Sequence, residues 1–540
     1  MTSRLPGWAI RTGAATPNRF PGMESSEVSS RPEPAVPNSG EEPHLKADAI
    51  SFTDGLAIAL ASTAPAYSLA AVIGSIVVLV GLQAPAALLV AFVPMFFIAA
   101  AFYYMNKADQ DCGTSFSWVT RAIGPQSGWM TGWAICVTGI LVVGSLADVA
   151  VYSFFDLIGT DGLMNSTAAV TTGAVLLMIV MTGICVWGTE ISANLQKTLM
   201  VIQIVPLLLF VVVALVKVYA GDTPGASLDP SLSWFNPFQI PAAALSGSML
   251  LAVFIYWGWE SAVNLNEETE GDADKPGLAG VISTALLLIT YLGVATAIVA
   301  WGGVSGAEQF DDDAAILATY AKEILGGTLG LLVLLSVVVS ALASTQTTIL
   351  PASRTSLSMA RAEAMPHALG EISGRFFTPV VSTVTIGVLA IIWYLPSKLI
   401  SENFLFDSLS ALSLMIAFYY AMTGFACAFY YRRELFKSAK NLLFIGVAPL
   451  VGALLLSYLF VKSLIDWSDP ANSYTGASWF GFAPPAVIGI GFLLVGVILL
   501  FAWRFHQEEP FFKRRREIAD PDLLNGKAEP AAALSGSDPA

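Results

Sequence analysis

The sequence predicts an all-α integral membrane protein with twelve transmembrane helices. Three observations carry this. Hydrophobic residues make up 55% of the 540 and charged residues only 12%, a balance foreign to soluble globular domains. The apolar runs far exceed the ~20 residues that cross a bilayer. The lysines and arginines gather at alternate ends of these runs, as one topology requires.

Residues 1–49 are rich in Pro, Ser and Glu and read as a disordered cytoplasmic tail. With no cleavable signal at the start, the first membrane helix must direct insertion. No charge occurs between Gly55 and Asn106, which is room for two spans divided near Gly81 and Pro85. A polar segment follows from Lys107, then a third span containing Asp148. A fourth covers residues 167–187 and a fifth 198–218. The sixth starts near Ala242 and turns polar at Glu260. The seventh lies between Gly277 and Gly303, ahead of an acidic loop, and the eighth covers 327–351. A basic connector runs from Arg354 to Arg375. Spans nine to twelve lie near 379–394, 404–431, 442–461 and 484–503. Residues 508–540 form a second polar tail. Its Lys513-Arg514-Arg515-Arg516 cluster reads as a stop signal, or as a contact for anionic headgroups.

Orientation follows from the basic residues. With the N-terminus inside, all 26 lysines and arginines fall on the inner side except Lys217, Lys322, Lys398 and Lys462. An even number of spans places both termini in the cytoplasm, in a multi-pass protein of the cytoplasmic membrane.

Two spans are broken at their centres. Span one carries Ser62-Thr63-Ala64-Pro65-Ala66-Tyr67, and the proline removes a backbone hydrogen bond at membrane depth. Span six carries Tyr256-Trp257-Gly258-Trp259-Glu260. One break alone is equally well a kink or a packing glycine. Two breaks at matching positions of oppositely directed halves point to an inverted-repeat secondary transporter. Freed N–H groups at half-helix N-termini suit a carboxylate, and freed carbonyls suit an ammonium or a cation.

Three patches resemble the amino acid–polyamine–organocation permeases. They are the segment from Gly113 to Pro125, the stretch Trp257-Gly258-Trp259-Glu260 with Glu267-Glu268, and the run from Ser353-Arg354 through Ala360-Arg361 to Pro366. The sequence departs at Cys112, Phe116 and Ala362-Glu363, where family members commonly have Gly, Tyr and Asp-Gly. The resemblance implies a leucine-transporter-like five-plus-five inverted repeat with two extra C-terminal helices. The first repeat would be residues 50–220, the second 242–431, and the extra pair 440–505. It implies alternating access around a substrate held between spans one, three, six, eight and ten. The Pro65 break lacks the usual Gly-x-Gly form and is similar to that of amine-handling members. The substrate is thus an amino acid, with a cationic one favoured, or a polyamine or amino-alcohol. A sensor or structural subunit is the competing class.

The expected binding residues are Ser62, Thr63, Ala64, Pro65, Ala66, Tyr256, Trp257, Gly258 and Trp259. Asp148 joins them as a counter-charge for an ammonium or a proton site; the alternative is that it reaches outer water. Trp257 and Trp259, two apart, cannot share a helical face, so one is expected at the ligand. Glu260 starts a stripe with Asn264 and Glu267 and reads as a gate or proton carrier, or as an interfacial glutamate. Glu267, Glu268 and Glu270 read as solvated. Coupling has three options: a carboxylate proton carrier, sodium, or exchange without an ion. Ser344 or Thr345 are candidates for a sodium site, although hydroxyls at this spacing on span eight are common packing glue. Gln203 occupies the span-five position where some proton-coupled relatives have lysine.

No cofactor and no metal site is expected. His44, His367 and His506 lie outside the apolar runs, and the cysteines Cys112, Cys136, Cys185 and Cys427 are scattered. There is no phosphate loop and no catalytic constellation, so an enzyme is not expected. Nucleic acid is not an expected partner; a lipid bilayer is, with the chain a monomer or homodimer.

Overall fold

A computed structural model describes residues 44–223, 225–308, 316–400, 402–473, 475–506, 510–520, 523–525, 531 and 534. Among the described residues the α-helices of eight residues or more are α1 (Phe52–Ser62), α2 (Pro65–Val80), α3 (Ala84–Ala108), α4 (Ser115–Ala122), α5 (Pro125–Leu157), α6 (Thr167–Trp187), α7 (Thr189–Ala220), α8 (Ala242–Ile255), α9 (Lys275–Glu308), α10 (Ile316–Leu325), α11 (Gly327–Arg361), α12 (Val380–Ile400), α13 (Glu402–Tyr430), α14 (Ala448–Asp466) and α15 (Pro484–His506). Among the described residues, ten stretches are helical, long and apolar enough to cross a membrane, and the chain is a multi-pass membrane protein. The first stretch, Phe52–Ala108, has 57 residues, about twice a single crossing.

The break expected in span one lies between two helices, and its proline starts the second. α1 ends at Ser62, Ala64 takes a left-handed conformation (φ +48°), and Pro65 is the first residue of α2. A first-turn N–H has no helical partner to lose, so proline is accommodated there. α8 has only 14 residues, too few to cross alone. Gly258, at φ +118°, turns it into a 3₁₀ segment, Trp259–Glu268.

α5 is the central post. Of its most apolar window 89% is inside the protein, against 28% for α6 and for α15, so the latter two face lipid. α5 packs along α11, α12 and α13.

Residues 1–43 of the expected N-terminal tail lie outside the described residues. Within 44–49, Leu45 is buried against Cys112 and Leu357. The C-terminal tail is not a free polar chain where it is described. Phe511 is buried with its ring on Phe116, centroids 5.6 Å apart. Glu517 accepts from Arg121 at 2.9 and 3.0 Å. The backbone N–H groups of Ala519, Ala531 and Leu534 donate to Tyr430 O, Ala108 O and Asp111 Oδ2.

Candidate functional site

The two breaks touch. A Cβ on Gly258 would lie 2.7 Å from the carbonyl oxygen of Ser62, so only glycine lets the second break seat on the first. Ser62 and Ser261 hydroxyls pair across them at 2.7 Å. The carbonyls freed by the breaks are taken up by hydroxyls: Ser62 O by Ser344 (2.8 Å), Thr63 O by Ser68 (2.8 Å), and Ile255 O by Tyr291 (2.6 Å). Tyr67 N–H, in the first turn of α2, donates to Ser340 at 3.3 Å. Polar backbone at membrane depth is tolerated only with such partners.

Beside the contact lies a small cavity lined by Ser62, Thr63, Ala64, Tyr67, Trp257 and Ser344, among others. Its free space is about 10 Å³, room for about one water. Of the predicted ligand residues, Pro65, Ala66, Tyr256, Gly258 and Trp259 stand behind this lining. Trp257 is the tryptophan at the cavity. Trp259 is fully buried between Phe102 and Tyr420. Tyr256 packs against Tyr291 with the rings tilted by 58° and their centroids 5.0 Å apart, and its hydroxyl has no partner among the described residues.

Three expectations need correcting. Asp148 is not a vacant counter-charge: Lys398 of α12 donates to it at 3.1 Å and Tyr394 at 2.5 Å, and all three are buried. A lone carboxylate at that depth costs several kcal/mol, which a neighbouring cation offsets. Asp148 touches the breaks only indirectly, through Ser145 one turn before it, whose hydroxyl lies 3.3 Å from that of Tyr67. Glu268 is not solvated; it is fully buried with Arg354 at 3.1 Å. Glu267 is half-buried on Arg361 at 2.9 Å. Thr345 donates back to Ala341 within its own helix and does not reach span one, whereas Ser344 does.

Glu260 is clasped. Tyr419 and Tyr420 of α13 donate to its two oxygens, and Gly258 N–H donates to Oε2 at 3.1 Å. Trp257 Nε1 donates in turn to Tyr419. The cavity tryptophan and the buried glutamate are thus joined through one tyrosine hydroxyl. Sequence reading missed Tyr419 and Tyr420, and it missed the contacts of Ser340 and Lys398. The signal for the tyrosines was available, since two phenols in an apolar run need acceptors. Gln203 is fully buried, and neither polar atom of its side chain has a partner among the described residues.

Beyond Glu260 the 3₁₀ segment is tied to the loop after α3. Asn264 donates to Cys112 O and Thr114, and Asn266 to Asn106 and Asp111 O. Asp109 pairs with Arg121 at 2.8 Å. Burial pushes the Asp109 carboxyl up to about 7, against the pull of Arg121. At the opposite end, a cavity of about 410 Å³ opens between α2, α8 and α13, with Trp467 and Asn472 on its rim. It narrows at Val72, Leu250, Phe254, Phe406 and Leu409, where about 20 Å³ is free. Phe254 belongs to both this neck and the central cavity.

The sequence profile of the family described as Amino acid permease matches residues 57–503. The chain belongs to the amino acid permease family. Similar relatives include the vacuolar cationic amino acid transporter 4 of Arabidopsis thaliana, 26% identical over 377 residues, which are 66% of this chain and 59% of the relative. The vacuolar cationic amino acid transporter 2 of the same plant is 25% identical over 304 residues, 54% of this chain and 46% of the relative. An uncharacterized transporter of Mycobacterium tuberculosis is 26% identical over 275 residues, 51% of this chain and 57% of its own. The permease chain spans about half the length of the curated relatives it matches.

Proposed function

We propose that the chain is a secondary active transporter that moves an amino acid, with cationic ones favoured, by alternating access. The observation that carries it is the contact of two half-helix breaks of opposite polarity. α2 begins at the cavity with its positive end, which favours a substrate carboxylate. α1 and α8 end there with their negative ends, which favour an ammonium. The positive end of α2 favours an amino acid over a polyamine, which has no carboxylate. No carboxylate lines the cavity, so a cationic side chain would rest on carbonyls and the face of Trp257. The names of the plant relatives support this class.

The architecture proposed for this activity has twelve crossings. α1 to α7 form one five-span repeat, α8 to α13 its inverted partner, and α14 and α15 follow. The basic end would face the cytoplasm, with both termini inside the cytoplasmic membrane. The conformation described then has a vestibule open to the outside and a closed cytoplasmic side.

Coupling to a proton would run through Glu260. Three donors face its two oxygens, the setting of a carboxylate. A proton there would displace one donor, freeing Tyr419 and through it Trp257. The alternative is sodium held by Ser344 and Ser62 O. Uptake by the full chain in proteoliposomes, with a panel of amino acids and amines at varied pH and sodium, tests both. Saturable uptake of lysine or arginine, driven by an inward proton gradient and lost as a gradient response in Glu260→Gln, is expected. Sodium-dependent uptake would replace the proton scheme, and no saturable uptake of any substrate by folded protein would end the transporter reading.

A further inference from the structure

A cavity of about 480 Å³ lies away from the broken helices, between α5, α12, α15 and the connector after α11. Trp129, Trp133 and Ile140 of α5, Leu389 of α12, and Leu499 and Trp503 of α15 form its walls. The transport scheme does not use it.

Its interior offers no free donor from the three indoles. Trp129 Nε1 donates to Ala364 O at 2.8 Å, Trp133 Nε1 to Phe492 O at 2.8 Å, and Trp503 Nε1 to Glu363 O at 3.1 Å. The Ser356 hydroxyl bonds to Ser353 O and Ser382. A polar ligand would lose its hydrogen bonds with water here and regain few, whereas an alkyl chain loses none. α15 approaches α5 closely beside the groove. A Cβ on Gly496 would lie 2.4 Å from the Trp133 ring, so only glycine allows this contact. From Trp129 to Ile140 the wall runs roughly 16 Å at 1.5 Å per residue, about half of the ~30 Å hydrocarbon core. That is the depth of one leaflet.

Two exposed arginines adjoin the elements that wall the groove. Arg504 follows Trp503 and is exposed. Arg516 is exposed, and its Nε lies 3.8 Å from where a Cβ of Gly124 would stand, just before α5 begins. Neither arginine is in an ion pair among the described residues. The connector contributes Glu363, so a phosphate is better placed near the two arginines than near the connector. The groove is also continuous with the lipid-facing surface of α12 and α15, where Val388 and Leu499 are exposed.

We infer that this groove seats one acyl chain of a phospholipid from the leaflet at the basic end, with its anionic headgroup held by Arg504 and Arg516. The occupant would brace α5, whose Val142 and Leu146 line the central cavity within two turns of Ile140. Lipid composition would thereby act on transport without touching the substrate. The inference rests on the membrane span of these helices, not on the choice of substrate.

Native mass spectrometry of the full, delipidated chain tests it, with phosphatidylglycerol and phosphatidylcholine of identical acyl chains titrated separately. One phosphatidylglycerol should be retained, at least fivefold more tightly than phosphatidylcholine. Arg504→Gln with Arg516→Gln should erase that preference while leaving a chain seated. Ala502→Trp, at an exposed wall position, should abolish retention of both lipids, with its unfolding temperature showing that it folds. Phosphatidylglycerol carrying a diazirine in its tail should crosslink to peptides of α5, α12 and α15. Crosslinks spread evenly over the outer faces of α6 and α7, retention unaffected by Ala502→Trp, or crosslinked dimers through this face would overturn the assignment. Equal retention of both lipids in the unaltered chain would overturn the headgroup role of the arginines.

Discussion

The two ends of the central cavity are closed in different ways. Towards the far end the seal is one layer of apolar side chains, Val72, Leu250, Phe254, Phe406 and Leu409, below a wide vestibule. Towards the basic end it is a stack of polar layers: the Glu260 clasp, the asparagine ties of the 3₁₀ segment, the buried Glu268–Arg354 pair, and the Asp109–Arg121–Glu517 chain. An apolar layer gives way by side-chain rotation, with no charge left behind. A polar stack opens only if water or new partners take over each group it exposes. Under the proposed transport scheme the two closures would respond to different inputs, the thin one to the bulk of what enters and the thick one to protons, charge and tail contacts.

The largest effect is expected from breaking the thick side. Arg354→Met takes away the arginine that faces the fully buried Glu268, at a cost of about 3–5 kcal/mol. Thermal unfolding of the variant in detergent should fall accordingly, and Arg354→Met with Glu268→Leu should regain most of the loss. An unchanged melting temperature in the single variant would show that this pair does not hold the closure. On the thin side, Phe254→Ala should widen the neck. The four native cysteines are buried, so Ser68→Cys introduced in the cavity would report access. Labelling by a thiol reagent from the vestibule side should rise about tenfold, some 1.4 kcal/mol, with no change from the basic side. Equal gains from both sides would erase the contrast between the gates.

Asp109 gives a pH signature to the thick side alone. Its carboxyl is held near 7, above its ordinary value of 3.8, mainly by burial. Proton binding therefore favours the packed form. That contribution is complete below about pH 4 and is lost as the pH rises through 7. Stability should decline from pH 5 to 8, and the slope should flatten in Asp109→Asn. The smallest effect is expected from Glu517→Gln, because Glu517 is 44% exposed. Its ion pair with Arg121 contributes up to about 1 kcal/mol, visible as an up-to-fivefold rise in labelling of a reporter cysteine from the basic side.

Much of the architecture was legible because hydrocarbon imposes a simple grammar: long apolar runs, with charge only at their ends. Pro65 and Gly258 were legible as breaks for the same reason, since each disrupts a run where disruption is costly. Their contact was not, because the 2.7 Å clearance at Ser62 O is a property of two helices 196 residues apart. Asp148 shows the limit most directly. Its depth demanded a partner, but Lys398 lies 250 residues away and looked like an outer-margin lysine. Glu267 and Glu268 looked solvated because they end a span. Arg354 and Arg361 reach back to them only after α11 runs on well past the apolar core. The docking of the C-terminal segment was invisible, since backbone donors from Ala519, Ala531 and Leu534 leave no trace in side-chain pattern.

That docking has a practical consequence for handling the protein. The main chain near residue 534 is hydrogen-bonded to Asp111, whose other carboxylate oxygen takes Gly113 N–H and the Ser358 hydroxyl. A purification tag or fluorescent reporter fused after Ala540 would hang six residues from that knot and pull on the loop that anchors the 3₁₀ segment. Two preparations differing only in tag position would then show different melting curves and different uptake rates, and the N-terminal fusion would be the one closer to the untagged chain.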